Sequence, residues 1–301
     1  MHPETLIRQL RAELEDGGLR GSFLVRDLAT GREIGIDPDL VFPSASLIKV
    51  AVAAVTLDRI RRGELDGATP IDVQPGRSTV PGPTGLTKFR HPARIAIDDL
   101  LYLSLAISDN SATDALFALT PPDEVTRTLR DWGVTGIVVR HADGDLEETP
   151  AERFEPAEVH FAHALAIGAA TEGRGHVIPQ LDVTRASSGS ARAFVTLLDT
   201  IWRPSTIDEA VAVRVRELMG ENLLRQRLTP DFSSDATRWA SKTGTLLNLR
   251  HEIGVVEHGD GAAYAVAALT ESRVPAAIQP EAEVLMARVA KLLRDHLRSS
   301  R

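Results

Sequence analysis

The spacing of apolar residues changes along the chain and predicts strands near both ends with helices between them. Residues 22–36 contain two apolar-rich runs around Ala-Thr-Gly-Arg, a pattern typical of a β-hairpin. From Arg238 onward the apolar residues recur at every second position, which predicts three more strands with a Gly-Asp-Gly turn in one hairpin. Amphipathic helical patterns precede the first hairpin and follow the last strand, over residues 280–297.

The central part of the chain is predicted to be helical. Residues 47–62 are apolar almost all round, which indicates a buried helix that ends at Gly63. The Pro-, Gly- and Thr-rich stretch from about Pro70 to Pro92 predicts a loop. Further helical patterns cover residues 93–107, 111–120, 123–133, 155–173, 191–202 and 209–227.

This order of elements predicts an α/β (α+β) fold. Strands from the two ends of the chain can pair in one five-stranded antiparallel sheet, which the terminal helices cover. The residues between them then form an all-helical lobe. We expect the α/β lobe to hold about residues 1–45 and 236–301 and the helical lobe about residues 46–235.

Composition excludes several classes of protein. The net charge of −8 is spread along the chain, so no basic surface indicates a nucleic-acid partner. The absence of cysteine excludes disulfides, thiol nucleophiles and thiolate metal sites. No apolar run approaches the ~20 residues of a membrane helix, and no secretory signal pattern is found at the N-terminus. We therefore expect a cytoplasmic protein without membrane contact.

A serine and a lysine open the buried central helix. Ser46 and Lys49 are three residues apart, so on a helix they share a face and can share a proton. Lys49 lies between Ile48 and Val50 in an apolar segment, although the chain has only four lysines among many arginines. The alternative is a capping serine and a surface lysine. An unpaired buried ammonium is costly, so a specific partner for Lys49 is implied.

Two other short motifs carry polar side chains at element ends. Ser108-Asp109-Asn110 stands at a break between two predicted helices, where a hydroxyl and an amide can reach a cleft. Its alternative role is a helix cap. Lys242-Thr243-Gly244-Thr245 ends a predicted strand, and Gly244 would let a substrate backbone approach closely. Its alternative role is a strand-end turn with an exposed lysine.

Together the three motifs resemble one enzyme superfamily. Ser-x-x-Lys, Ser-Asp-Asn and Lys-Thr-Gly follow one another in the order found in class A β-lactamases and penicillin-binding proteins. The sequence resembles the serine β-lactamase and penicillin-binding protein superfamily, and class A β-lactamases most, along most of its length. The resemblance implies a single catalytic domain over residues 1–301 with a β-lactamase-like fold. It also implies serine hydrolase activity through an acyl-enzyme, with a β-lactam as substrate.

The resemblance implies a role for each matching catalytic residue. Ser46 attacks the acyl carbonyl, Lys49 accepts its proton, and Ser108 relays a proton to the leaving nitrogen. The Thr245 and Ser46 amides form an oxyanion hole.

Other matching residues are implied to bind substrate. Asn110 holds the amide side chain of the substrate. Lys242, Thr243 and Thr245 bind its carboxylate, with Arg250 on the next strand assisting.

One element of the class A pattern is missing. The sequence has no E-x-x-L-N motif, whose glutamate activates the water that hydrolyses the acyl-enzyme in that class. In the acidic stretch of residues 143–148, Asp145 or Glu147 can stand in for that glutamate. The alternative is a solvated acidic loop, which is the usual role of a run of charges. Acylation chemistry is thus predicted to be intact, whereas fast deacylation does not follow from the sequence.

Three functions remain open at this point. The first is β-lactam hydrolysis, and the second is an intracellular esterase, amidase or acyltransferase on the same scaffold. The third is a penicillin-binding domain that acylates without turnover. For His160 and His163, which share a helical face, we favour a structural role over a zinc site. We expect a monomer that acts on a small molecule without metal or cofactor.

Overall fold

The computed structural model describes residues 2–74, 84–142, 149–169 and 174–299. Its strands are β1 (Leu19–Asp27), β2 (Glu33–Ile36), β3 (Val41–Pro43), β4 (Pro70–Val73), β5 (Ala93–Ala96), β6 (Ser188–Ser190), β7 (Thr237–Leu246), β8 (Leu249–His258) and β9 (Ala263–Ser272). Its α-helices are α1 (Pro3–Asp16), α2 (Ile48–Arg61), α3 (Ile97–Ala106), α4 (Asn110–Leu119), α5 (Pro122–Asp131), α6 (Pro150–Arg153), α7 (Val159–Gly168), α8 (Ala191–Trp202), α9 (Glu209–Gly220), α10 (Thr229–Phe232) and α11 (Pro280–Ser299).

Strands from the two ends of the chain form one antiparallel sheet, in the order β2-β1-β9-β8-β7. The predicted five-stranded antiparallel sheet is therefore confirmed. The N-terminal hairpin adds to the sheet through β1, which pairs with β9 over its whole length from Leu19 to Asp27. The three C-terminal strands follow one another as a meander, because short turns join neighbouring antiparallel strands.

One face of the sheet is covered by the two terminal helices. Leu6, Leu10 and Leu14 recur every four residues on α1, so they share one face and are buried. The long α11 buries Met286 and Leu293 in the same apolar cluster as these leucines. The amphipathic pattern of both helices thus fixes which face they turn to the sheet.

The other face of the sheet contacts the central helices. Every residue of α2 from Ile48 to Leu57 is buried, which explains the lack of a polar face in its sequence. Helix α8 begins where Ser190 caps it by accepting a hydrogen bond from the Ala193 amide, and it packs against β1 and β9. Helix α2 is therefore surrounded by other parts of the protein, and residues Ala45–Leu47 just before it contact β7.

The central part also contains short strands that the periodicity does not predict. Pro70–Val73, in the predicted loop, pairs as β4 with Ala93–Ala96, which forms β5 where the start of a helix was predicted. Strand β6 pairs with β3, next to Ser46. Strands of three or four residues are too short to show a period of two, so only their hydrogen-bonded partners identify them. No helix in the described ranges is long and apolar enough to cross a membrane.

Candidate active site

Ser46 lies on a tight turn that leads into α2. Residues Ala45–Leu47 form a single 3-10 turn, which we call the Ser46 turn. Ala45 has a φ of +46°, a left-handed conformation that is costly for a residue with a side chain. The preceding Ser44 is fixed from both its amide and its hydroxyl, which donate to the Ser187 carbonyl at 2.8 and 3.0 Å. The turn is thus strained and anchored, and it presents Ser46 to a cleft of about 90 Å³.

Lys49 is fully buried one turn further along α2. Its Nζ donates to Asn110 Oδ1 at 2.5 Å and to the Ser108 carbonyl at 2.8 Å. It also lies 3.4 Å from Ser108 Oγ. These partners are the ones that a buried amino group requires, and the alternative of a surface lysine is wrong.

The three side chains of the Ser108-Asp109-Asn110 segment make different contacts. Asp109 Oδ1 accepts from the Ala112 amide at 3.1 Å and caps α4, and its Oδ2 accepts from the Leu86 amide at 2.5 Å. Burial raises the pKa of Asp109 above its ordinary value, although these amides favour the charged form. Ser108 adopts a φ of +58°, and it and Asn110 both contact Lys49. The predicted cap and the predicted approach to a cleft therefore coexist.

The third motif reaches the Ser108 hydroxyl through Lys242. It is fully buried on β7, and its Nζ donates to Ser108 Oγ at 3.0 Å and to the Thr243 carbonyl at 2.9 Å. The alternative of an exposed strand-end lysine is therefore wrong. One hydroxyl, that of Ser108, is shared by the amino groups of Lys49 and Lys242.

Gly244 lies against the Ser46 turn. A Cβ atom on Gly244 would lie 3.2 Å from Leu47 Cγ and 3.2 Å from the Ser44 carbonyl oxygen. The space that a side chain would fill is thus bordered by the flanks of the Ser46 turn. Glycine at position 244 lets β7 pack directly against that turn, and its predicted approach to a substrate backbone stays a prediction.

The guanidinium of Arg250 is directed to backbone carbonyls. Although Arg250 pairs with Thr245 across β7 and β8, its guanidinium donates to the carbonyls of Leu247, Leu249 and Ala277, at 2.5, 2.8 and 2.5 Å. Burial and the nearby charge of Arg227 lower the pKa of Arg250 to about 10. Arg250 is not among the described residues that line the Ser46 cleft, and its assistance to a substrate carboxylate stays a prediction.

Arg227 is a site residue that the sequence did not single out. It is buried, and its Nη2 donates to Thr245 Oγ1 at 2.6 Å. Its Nη1 donates to the Gly244 carbonyl at 2.7 Å and to the His251 carbonyl at 2.8 Å, while Glu283 neutralises its charge. Position 227 looks like the polar end of an amphipathic helix, so no local pattern could have indicated that it supports β7.

The described lining of the cleft carries no carboxylate. Asp145 and Glu147 lie outside the described residues. The described polar side chains that line the cleft belong to Ser44, Ser46, Asn110, His141, Gln180, Ser187 and Thr245. Among them, His141 has both ring nitrogens engaged, because Nε2 accepts from the Ser187 amide at 3.0 Å and Nδ1 donates to the Ala142 carbonyl at 2.8 Å.

The two helical histidines lie on α7 and not in the cleft. His160 is exposed, and its Nδ1 contacts the Ala157 carbonyl at 3.1 Å. His163 is buried, and burial lowers its pKa below the ordinary value. Within the ranges that the structure describes, no three His, Asp or Glu side chains are arranged to hold a metal ion.

The chain is similar to several known proteins. The β-lactamase regulatory protein BlaB of Streptomyces cacaoi is 61% identical over 309 residues, which cover 99% of each chain. The solved structure of PBP-A superposes with a TM-score of 0.76 at 17% identity, over 98% of this chain and 96% of that chain.

A variant of the last common ancestor of Gram-negative class A β-lactamases superposes with a TM-score of 0.77 at 21% identity. It covers 99% of this chain and 100% of that chain. At such identities the two solved structures show the fold alone, which is that of class A β-lactamases. The sequence model of the β-lactamase enzyme family matches residues 5–297, and the chain therefore belongs to that family.

Proposed function

We propose that the protein forms an acyl-enzyme on Ser46 by opening a cyclic amide of the β-lactam class. The observation that carries this proposal is the meeting of Lys49 and Lys242 at the Ser108 hydroxyl, beside the cleft that Ser46 lines. Two amino groups that close to one another disfavour double protonation, because like charges repel in a buried site. A neutral amine is the base that a serine nucleophile requires.

Acylation in this proposal takes place in three proton-coupled steps. Ser46 Oγ attacks the amide carbonyl carbon while its proton passes to the neutral Lys49 amine. The carbon–nitrogen bond breaks, the acyl group stays on Ser46, and Ser108 Oγ delivers a proton to the leaving nitrogen. Ser108 is reprotonated by Lys49, whose Nζ lies 3.4 Å from its oxygen. Protons and charge balance without an added reactant.

The same arrangement provides for substrate binding. Asn110 and Thr245 line the cleft with Ser46 and can bind the amide side chain and the carboxylate of a substrate. Lys242 can supply positive charge for the carboxylate, and its amino group lies at the Ser108 hydroxyl. The backbone amides of Ser46 and Thr245 serve as the oxyanion hole in this proposal.

A second candidate function is acylation without turnover, as in a β-lactam sensor. It is favoured by the described cleft lining, which offers no carboxylate to activate water, and by the engaged nitrogens of His141. The relative from Streptomyces cacaoi is named a regulatory protein, and a mutant of PBP-A was captured as an acyl-enzyme with penicillin G. β-Lactam hydrolysis requires a base for deacylation, for which Asp145 and Glu147 remain the candidates.

One experiment separates these functions. The protein is mixed with a chromogenic cephalosporin, and absorbance and intact mass are followed together, with Ser46→Ala as the control variant. Turnover that is lost in Ser46→Ala establishes hydrolysis, and Asp145→Asn and Glu147→Gln then identify the base. A stable mass increase on Ser46 without turnover establishes acylation without turnover. If neither occurs, the β-lactam proposal is wrong, and esters and linear amides are tested in the same assay.

A further inference from the structure

A second cavity of about 400 Å³ lies between β3, the end of α7 and the adjoining ends of β8 and β9. We call it the β3 cavity. Its volume falls in the range of small-molecule sites, whereas the Ser46 cleft holds about 90 Å³. Among the described lining residues, Pro43 is the one that borders both spaces. The β3 cavity therefore needs an explanation of its own.

A charged pair lies on the floor of the β3 cavity. Leu249, Glu271 and Arg20 are directly opposite one another on β8, β9 and β1, so their side chains share one face of the sheet. Arg20 Nη1 donates to Glu271 Oε1 at 3.2 Å, and each side chain is 28% exposed. Because both side chains line the cavity, water or a ligand can solvate this ion pair there.

The charges around the β3 cavity favour an anion. Arg273 joins Arg20 in its lining, against the single carboxylate of Glu271. Arg273 is 56% exposed, and its ion pair with Glu15 is long, at 4.0 Å. The guanidinium of Arg20 carries five N–H donors, and within the described ranges its one carboxylate partner is Glu271. Two guanidinium groups against one carboxylate thus leave a net positive charge in the cavity lining, which favours a ligand carboxylate.

The remaining walls of the β3 cavity are largely apolar. Leu40 and Val41 contribute from the β3 side, Ile167 from the end of α7, and Leu181 from the segment before β6. His176 also lines the cavity, but its ring is engaged, because Nδ1 accepts from the Ile178 amide and Nε2 contacts the Ala166 carbonyl. An apolar chain fits these walls, while its charged end lies at the arginines.

We propose that the β3 cavity binds a small organic monoanion with an apolar chain, of the fatty-monocarboxylate class. Strand β3 forms one wall, and it continues directly into Ser44 and the Ser46 turn. His251 holds this strand to the sheet by donating from Nε2 to the Pro43 carbonyl at 3.0 Å. Occupancy of the cavity therefore changes the reactivity of Ser46, a consequence that rests on the proposed function whereas the binding itself does not.

Binding is tested with octanoate as the probe, on the full chain carrying Ser46→Ala, by isothermal titration calorimetry. Octanamide and octylamine serve as neutral and cationic probes of the same length. We expect saturable binding of octanoate, about tenfold weaker binding of octanamide, and no binding of octylamine. Equal binding of octanoate and octanamide, or no saturable binding of octanoate, would overturn the proposal.

Two variants locate the bound probe. Arg20→Gln removes a charge from the floor of the cavity and is expected to weaken octanoate binding about tenfold. Val41→Trp fills the space beside β3 and is expected to abolish octanoate binding. Val41 is 41% exposed, so the fold can accommodate the larger ring. Arg214→Gln on the exposed side of α9 is the matched control and should leave binding unchanged. Octanoate bound equally by all three variants would place it elsewhere, for example in the Ser46 cleft, and would overturn the site.

The link to Ser46 is measured separately in the chain with Ser46 intact. The rate of acylation by a chromogenic cephalosporin is compared with and without saturating octanoate. We expect octanoate to change this rate in the unaltered chain and in Arg214→Gln, but not in Val41→Trp. An unchanged rate despite octanoate binding would overturn the link and leave the site, whereas a chain that is never acylated would count against the proposed function alone.

Discussion

Lys242 Nζ and Ser108 Oγ, which are 134 residues apart in the chain, are joined by a hydrogen bond of 3.0 Å. The bond crosses from β7 to the break between α3 and α4, and Lys49 approaches the same hydroxyl from α2. Ser108 therefore stands where three separate parts of the chain meet. Its left-handed backbone, with a φ of +58°, places the hydroxyl between the two amino groups.

Removal of the Ser108 hydroxyl is expected to slow acylation. Ser108→Ala should lower the acylation rate by about 100-fold, because proton delivery to the leaving nitrogen is lost. The acylation rate is measured from the initial burst of absorbance after the protein is mixed with a chromogenic cephalosporin. Ser233→Ala, at an exposed position, is the matched control and should behave as the unaltered protein. An unchanged burst in Ser108→Ala would show that the Ser108 hydroxyl does not deliver the proton to the leaving nitrogen.

Replacement of Lys49 by arginine tests whether its amine acts as a base. Arginine keeps the positive charge but cannot lose its proton, so Lys49→Arg should reduce acylation of Ser46 by about 100-fold or more. Intact mass after a timed exposure to the cephalosporin gives the rate. Lys88→Arg makes the same change at an exposed position and should have no effect. Comparable rates in the two variants would assign the base to another group.

A methyl group at position 244 is expected to disturb the Ser46 turn. In Gly244→Ala the new Cβ meets Leu47 and the Ser44 carbonyl at 3.2 Å, so the variant should lose about 1–3 kcal/mol of unfolding free energy. Its acylation rate should fall as well, because the turn must move.

The matched control for this change is Gly220→Ala, where a Cβ meets no atom within 4 Å on α9. Alanine is favoured in a helix, so this variant should keep or gain stability, by up to about 1 kcal/mol. Urea unfolding measures both variants. Equal stability of the two would show that β7 can move away from the Ser46 turn without cost.

Acid is expected to destabilise the protein through His251. Its Nδ1 accepts from the Thr270 amide and its Nε2 donates to the Pro43 carbonyl, so the ring is held neutral in the sheet. Burial lowers the pKa of His251 to about 4 from 6.5. Between these values the unfolded chain binds the extra proton, so this contribution is complete above pH 6.5 and is lost as the pH falls toward 4.

The size of the effect follows from the pKa difference, which corresponds to about 3 kcal/mol of unfolding free energy. Urea unfolding at pH 7 and pH 5 should show a smaller loss of stability for His251→Gln than for the unaltered chain. His91→Gln, at an exposed position, should keep the full pH dependence. Parallel pH profiles for the unaltered chain and His251→Gln would show that His251 does not titrate in this range.

The sequence determined the fold class and the three motifs, since both depend on local patterns. Two apolar-rich runs around a turn predicted the first two strands of the sheet, and alternation of apolar residues predicted the other three. The all-round apolar character of residues 47–62 predicted a buried helix. The polar residues at the ends of these elements were recognisable because an element end is where a side chain can reach a cleft. The order of the motifs was enough to suggest the family, and the family match confirmed it.

Only the tertiary structure decided which groups meet. Lys49 and Lys242 share the Ser108 hydroxyl, and Gly244 faces the Ser46 turn. Arg227, and not Arg250, contacts the Thr245 side chain. Each of these contacts joins distant parts of the chain. The β3 cavity likewise lies between elements from distant parts of the chain. The periodicity of apolar residues indicates which face of an element is buried. Which element packs against that face depends on the packing of the whole chain.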